Sequence, residues 1–303
     1  MIATLFHKLV TATLPYVPRS IVWRFSRRYI AGTQLDDALR TVAELRTTGC
    51  SATVDVLGED STDYERVEAA RDLYLNALAA VNRQSLDCYA SVKLSDMGLR
   101  FDAGHCREVM QQIVGRAKEL GNFVRIDMED SSVTSVTLDI YRELREQFDN
   151  VGTVIQSCLR RSEADVAALL DSGPTDIRIC KGIYVEPEEI AYTDPDEIRD
   201  SYCRLLEQLI DGGARRVAIA THDPKLVEFA EQTISSRGLR RDRYEFQMLL
   251  GVAEHLRAEL VARGHPLRVY VPFGELWYPY SMRRLRENPQ IAGHIIRNLL
   301  IPG

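Results

Sequence analysis

The chain has 303 residues, 45% hydrophobic and 27% charged, with 38 basic against 44 acidic side chains and a formal net charge of -6. This is the composition of an ordinary globular protein, without the low-complexity bias of a disordered segment. The acidic balance argues against nucleic acid as the main partner, because phosphate binding needs concentrated positive charge.

The first 35 residues differ from the rest, carrying Lys8, Arg19, Arg24, Arg27 and Arg28 but no Asp or Glu, together with Trp23, Phe25 and Tyr29. Lys8, Pro15 and Pro18 interrupt any secretory core here, and no apolar run approaches the ~20 residues of a membrane span, so a cytoplasmic location is expected. Helices are expected over about 17–30 and 34–48, forming an arm (residues 1–49) over the lower end or flank of the main domain. The arm reads either as a cationic surface helix in peripheral contact with anionic lipid or as a helix packed on the main domain with solvated arginines. The second reading is preferred, since charge runs are usually solvated faces.

From residue 50 to 303 short apolar runs alternate with longer helical stretches. The runs are SATVDVLGE (51–59), CYASVKL (88–94), FVRIDMED (123–130), GTVIQSCL (152–159), DIRICKGIY (176–184), RVAIATHD (216–223), YEFQMLLG (244–251) and LRVYVPFG (267–274). Between them, stretches such as Tyr64–Asn82, Cys106–Leu120, Glu197–Asp211 and Pro224–Ser236 have a helical apolar period. Repeated βα units imply a parallel sheet, and eight of them predict a closed (β/α)8 barrel, an α/β fold. A doubly wound sheet would show a GxGxxG fingerprint, and the sequence has none. The six cysteines lack CxxC or metal-type spacing, so neither a metal site nor a disulfide framework is expected.

Active sites of such barrels lie at the C-terminal strand ends. Polar residues near those ends are Asp55 and Glu59, Lys93, Asp127, Gln156, Arg178 and Lys181, His222, Gln247 and Tyr270. Each costs stability unless paired or functional, and one per strand reads as a ligand site. In the third run Arg125, Asp127 and Glu129 share one face, expected to look into the barrel mouth. The eighth strand is expected to end at Tyr270, and a helix over Tyr280–Asn288 would stack Tyr280, Arg283, Arg284 and Glu287 on one side. Paired arginines beside a tyrosine suit a small carboxylate. On the residues alone, a Schiff-base lyase using Lys93 or Lys181, a folate-reducing flavin barrel and a carboxylate-binding protein without catalysis remain open.

The motifs KLSDMG (93–98), IDMED (126–130), VIQSCLRR (154–161), RICKGIY (178–184), ATHD (220–223), EFQMLLGV (245–252) and YVPFGELWYPYSMRRLREN (270–288) together resemble the proline dehydrogenases, from about Thr53 onward. The resemblance implies a distorted barrel that holds FAD without a Rossmann domain and oxidises L-proline to 1-pyrroline-5-carboxylate, with a quinone as the suggested electron acceptor. It assigns Asp127 and Arg178 as catalytic, and Lys93, Arg283 and Arg284 to the substrate carboxylate, with Tyr270 and Tyr280 against the proline ring. Met128, Gln156, Lys181, Gly182, Ile183, Thr221, His222 and Glu287 would contact the flavin. Glu59 is similar to an acidic gate residue that pairs with the first clamp arginine. Ile183, Val185 and Phe273 depart from the family pattern of a small alanine, a larger residue and a tyrosine.

Overall fold

The computed structural model describes residues 18–287, with side chains as far as Met282. Two helices, α1 (Arg19–Ser26) and α2 (Leu35–Thr47), precede the first strand. Then strands and helices alternate: β1 (Ser51–Val56), α3 (Tyr64–Arg83), β2 (Cys88–Val92), α4 (Ala103–Glu119), β3 (Val124–Ile126), α5 (Thr134–Gln147), β4 (Val151–Gln156), α6 (Ser162–Asp171) and β5 (Asp176–Cys180). The second half continues with α7 (Pro195–Asp211), β6 (Arg216–Ala220), α8 (Pro224–Ser236), β7 (Tyr244–Leu249), α9 (Glu254–Ala262), β8 (Leu267–Phe273) and α10 (Trp277–Glu287). The eight strands form a closed parallel barrel in chain order, with β8 returning to β1 through pairs such as Val54↔Val271.

Helix starts are encoded locally. Asp63, Asp102, Asp194 and Asp223 each accept a backbone N–H in the first turn of the adjoining helix. Pro195 and Pro224 occupy first-turn positions where an N–H has no intrahelical partner.

The strand period of two separates two environments. Val54, Val92, Ile126, Ile155, Ile179, Ile219, Phe246 and Val271 are buried in the apolar layer shared with the surrounding helices. The alternate positions face the barrel axis, and many are charged. Near the N-terminal end, Arg125 pairs with Asp176 and also donates to its carbonyl at 2.7 Å, while Arg268 meets Glu245 at 3.1 Å. Gly152 makes room for the Arg125 fork, since a Cβ there would overlap its Nη1. Arg125 therefore belongs to the barrel floor. The expectation that Arg125, Asp127 and Glu129 all look into the mouth holds for Asp127 and Glu129, which border it, and fails for Arg125, whose fork is drawn to Asp176 at the opposite end.

Two boundaries also shift. β8 continues to Phe273, because β1 pairs with it up to Val56↔Phe273, and α10 starts at Trp277 rather than at Tyr280. The N-terminal helices divide their roles. α2 lies on the barrel flank against β1 and β8, whereas α1 packs on α10 beside the C-terminal end, with Trp23 and Trp277 ring centroids 4.6 Å apart and Arg19 4.8 Å from the Tyr278 ring. Backbone bonds from Ala31 to Pro272 and from Gly274 to Gly32 anchor the α1–α2 connection to the end of β8. Among the described residues, no helix is long and apolar enough to cross a membrane.

Candidate active site

At the C-terminal ends of the strands a cavity of about 400 Å³ opens, lined on its polar side by Lys93, Asp127, Arg178, Gln247 and Tyr270. Asp127, immediately after β3, is its organising group. Oδ1 accepts from Ser91 Oγ at 2.6 Å and from Arg178 Nη1 at 2.6 Å, and Oδ2 accepts from Tyr270 Oη at 2.8 Å. Burial opposes the charge on Asp127, but Arg178 and Lys93 outweigh it and hold the carboxyl below its ordinary pKa. It is an anion at any working pH.

Lys93 reaches back from β2 to Asp55 Oδ1 on β1 at 2.6 Å, with both side chains buried. Burial favours loss of its proton, yet Asp55 and Asp127 raise its pKa, so the ammonium stays charged. Burial pushes the Tyr270 hydroxyl well above its ordinary pKa, and the Asp127 charge adds to this, which makes Tyr270 a fixed donor. Its ring lies 5.4 Å from the Arg178 guanidinium. Arg178 completes its set with Nε donating to Gln247 Oε1 at 2.5 Å. Lys93 and Arg178 thus face Asp55 and Asp127 two against two, and Glu129, buried in the same wall, is a further carboxyl whose pKa burial raises.

The rest of the cavity wall contains Met128, Gln156, Lys181, Gly182, Ile183, Thr221 and His222, together with Met248, Leu249 and Tyr280. Gln156 Nε2 is held by the Met128 and Glu129 carbonyls at 3.3 and 3.2 Å. His222 Nε2 accepts from the Leu249 amide at 2.9 Å, which in a neutral ring places the proton on Nδ1. Gly182 has φ +94°, and a Cβ would collide with Cys158 Sγ, so this turn after β5 requires glycine. Lys181 is tied at 2.5 Å to Asp223, which also takes Arg199 Nε at 2.7 Å. Thr221 Oγ1 accepts from the Asp223 amide at 3.1 Å and shapes the same corner.

Of the expected site residues, Lys93, Asp127, Arg178, Tyr270, Tyr280 and the whole set from Met128 to His222 therefore border one cavity. Tyr280 is buried with Ile30 and Leu57. Arg283, Arg284 and Glu287 fall within α10, but their side chains lie outside the described residues. Glu59 is exposed in the loop after β1 and contributes to the raised pKa of Lys93. Ile183 is 46% exposed at the cavity rim, Val185 is fully exposed, and Phe273 is buried. Ser91 and Asp223 had no place among the expected site residues. Asp223 stands inside ATHD and was legible as a helix cap, whereas a serine such as Ser91 carries no signal of its own.

The family model for proline dehydrogenase matches residues 38–297. The chain is 34% identical to a proline dehydrogenase of Deinococcus radiodurans over 99% of both chains, and 35% identical to proline dehydrogenase 2 of Bacillus subtilis over 86% of both. Among solved structures it is similar to proline utilization A of Bdellovibrio bacteriovorus, at a TM-score of 0.81 and 25% identity, covering 87% of this chain and 32% of that one. It thus spans about a third of that longer protein. A match of this extent, with relatives above 30% identity along nearly the whole length, shows that the chain belongs to the proline dehydrogenase family, oxidoreductases that act on proline.

Proposed function

We propose that this protein uses FAD to oxidise L-proline to 1-pyrroline-5-carboxylate and passes the electrons on to a quinone. The observation that carries this reading is the convergence of Lys93, Asp127, Arg178 and Tyr270 on one wall of the cavity that Met128, Gln156, Lys181, Gly182, Ile183, Thr221 and His222 complete. Apolar Met128, Ile183, Met248 and Leu249 suit the faces of a planar ring system, and the polar groups around them suit its edges. Arg178 also keeps Nη2 buried without a hydrogen-bond partner, a donor that a ring heteroatom would satisfy. When bound, the flavin supplies a two-electron acceptor that takes hydride at N5.

The chain's own residues do the rest. Lys93 offers a charged donor to the substrate carboxylate, and Arg283 and Arg284 join it from α10. Because Lys93 and Arg178 are already paired with Asp55 and Asp127, an added carboxylate needs further cations, which is what two arginines provide. Tyr270 and Tyr280 flank the apolar ring. The proline ammonium first gives a proton to solvent, which frees the nitrogen lone pair; loss of hydride from C5 then forms the C=N bond of the protonated imine, so the substrate gives up one hydride and one proton in all. Asp127 orients Tyr270 and Arg178, while Arg178 stabilises negative charge developing on the acceptor. Glu287 would contact the flavin from the clamp helix, and Glu59 would close the site with Arg283.

The lyase alternative fits less well. A Schiff base needs a neutral lysine amine, whereas Asp55 and Asp127 hold Lys93 protonated and Lys181 is bound to Asp223. Purified protein reconstituted with FAD should show a flavin spectrum that bleaches on anaerobic addition of L-proline. Failure to retain flavin would overturn the proposal; borohydride trapping of a carbonyl substrate would favour the lyase.

A further inference from the structure

We infer that Gln247 is a positioning residue of this reaction: its amide fixes the plane of the Arg178 guanidinium without neutralising it. The inference rests on the proposed role of Arg178 beside the electron acceptor.

Arg178 presents a rigid fork of five donors. Asp127 and Ser91 both engage Nη1, which fixes one edge. The bond from Nε to Gln247 Oε1, at 2.5 Å, comes from a different strand and edge, and two separate edges define a plane. The orientation of the Gln247 amide is itself determined. With its NH₂ turned toward Arg178, donor would face donor. Nε2 instead donates to Tyr89 Oη at 2.6 Å and to the Glu245 carboxylate.

Those acceptors are set from the barrel floor. Tyr89 donates its own proton to Glu245 at 3.2 Å, leaving its lone pairs for Gln247. Burial opposes the charge of Glu245, but Arg268 and Arg216 outweigh it and pull the carboxyl down to about 2, so it remains a pure acceptor. The floor charges thereby dictate which end of the amide meets Arg178. A carboxylate at position 247 would also accept from Nε, but it would add a second negative charge to a guanidinium already paired with Asp127. A neutral amide holds Arg178 and preserves its charge for the acceptor.

The test compares FAD-reconstituted parent protein with Gln247→Met and Tyr89→Phe in anaerobic rapid mixing with L-proline. Gln247→Met keeps the side-chain length and removes all three hydrogen bonds of the amide. It should retain stoichiometric FAD and the parent's half-saturating proline concentration, while the limiting bleaching rate falls by up to about 100-fold and the flavin midpoint potential moves to more negative values. Tyr89→Phe, which loosens the amide from behind, should lower the limiting rate by a smaller factor at unchanged half-saturation. An unchanged limiting rate and potential in Gln247→Met would overturn the inference. If that variant does not fold, an unchanged rate in Tyr89→Phe does so. Parent protein that is not bleached by proline would instead refute the reaction on which the inference rests.

Discussion

The hydroxyl of Tyr270, on β8, donates to Oδ2 of Asp127, after β3, at 2.8 Å across the barrel mouth, on the carboxylate oxygen that Arg178 leaves open. One aspartate thus ties three strands together, and the same contact that closes the barrel interior fixes the ring expected to flank the substrate.

Tyr270→Phe keeps the ring near Arg178 but removes the donor. Loss of a hydrogen bond to a charged group should destabilise the fold by about 1.5–3 kcal/mol, read from denaturant midpoints. The kcat/KM for proline should fall roughly tenfold, equivalent to about 1.4 kcal/mol of transition-state stabilisation. Unaltered values for both would mean that the bond neither stabilises nor orients.

Lys93→Met strands Asp55, which is fully buried. Removing one member of a buried ion pair costs about 3–5 kcal/mol. Pairing the change with Asp55→Asn should recover most of that stability but none of the proline-dependent bleaching, separating the structural role of the lysine from its proposed contact with the carboxylate.

Asp96 gives a pH signature. Burial, opposed by the Ser61 hydrogen bond, pushes its carboxyl up to about 6. Its folded pKa is therefore above the unfolded value of about 3.9. Stability associated with the neutral form is fully present below that unfolded value and is lost as pH rises through the folded value of about 6. Asp96→Asn should flatten this part of the stability profile and raise stability at pH 7 by up to about 3 kcal/mol. A profile identical to the parent's between pH 4 and 7 would remove Asp96 from consideration.

Arg284→Lys tests the clamp helix. A point charge does not reproduce a bidentate fork, so KM for proline should rise roughly 10- to 100-fold while FAD remains bound. Proline kinetics equal to those of the parent would place Arg284 outside the substrate site.

Much of this architecture was legible in the sequence because period-two strands and aspartate caps are local signals. Val54 against Asp55 and Ile126 against Asp127 already separate outer from inner faces, and Asp63, Asp194 and Asp223 mark helix starts. Strand ends were less legible. β8 extends past Tyr270 through pairing with β1, a partner more than 200 positions away in sequence. Arg125 shared a face with Asp127 but sits on the floor, since its neighbours Asp176 and Gly152 belong to other strands. The residues that border the cavity were legible as types at strand ends; their connectivity was not. That Asp127 binds Ser91, Arg178 and Tyr270 together, or that Gln247 takes its orientation from Glu245, depends on contacts between strands that no local pattern encodes.

Flavin bound at this mouth is proposed to remove two electrons from proline. An anaerobic single turnover, with FAD-reconstituted protein in excess over L-proline and the small molecules analysed by mass spectrometry, tests it most directly. One equivalent of a product two mass units lighter than proline is expected for each flavin bleached. Bleaching without that product, or recovery of intact proline from a protein carrying full FAD, would contradict it.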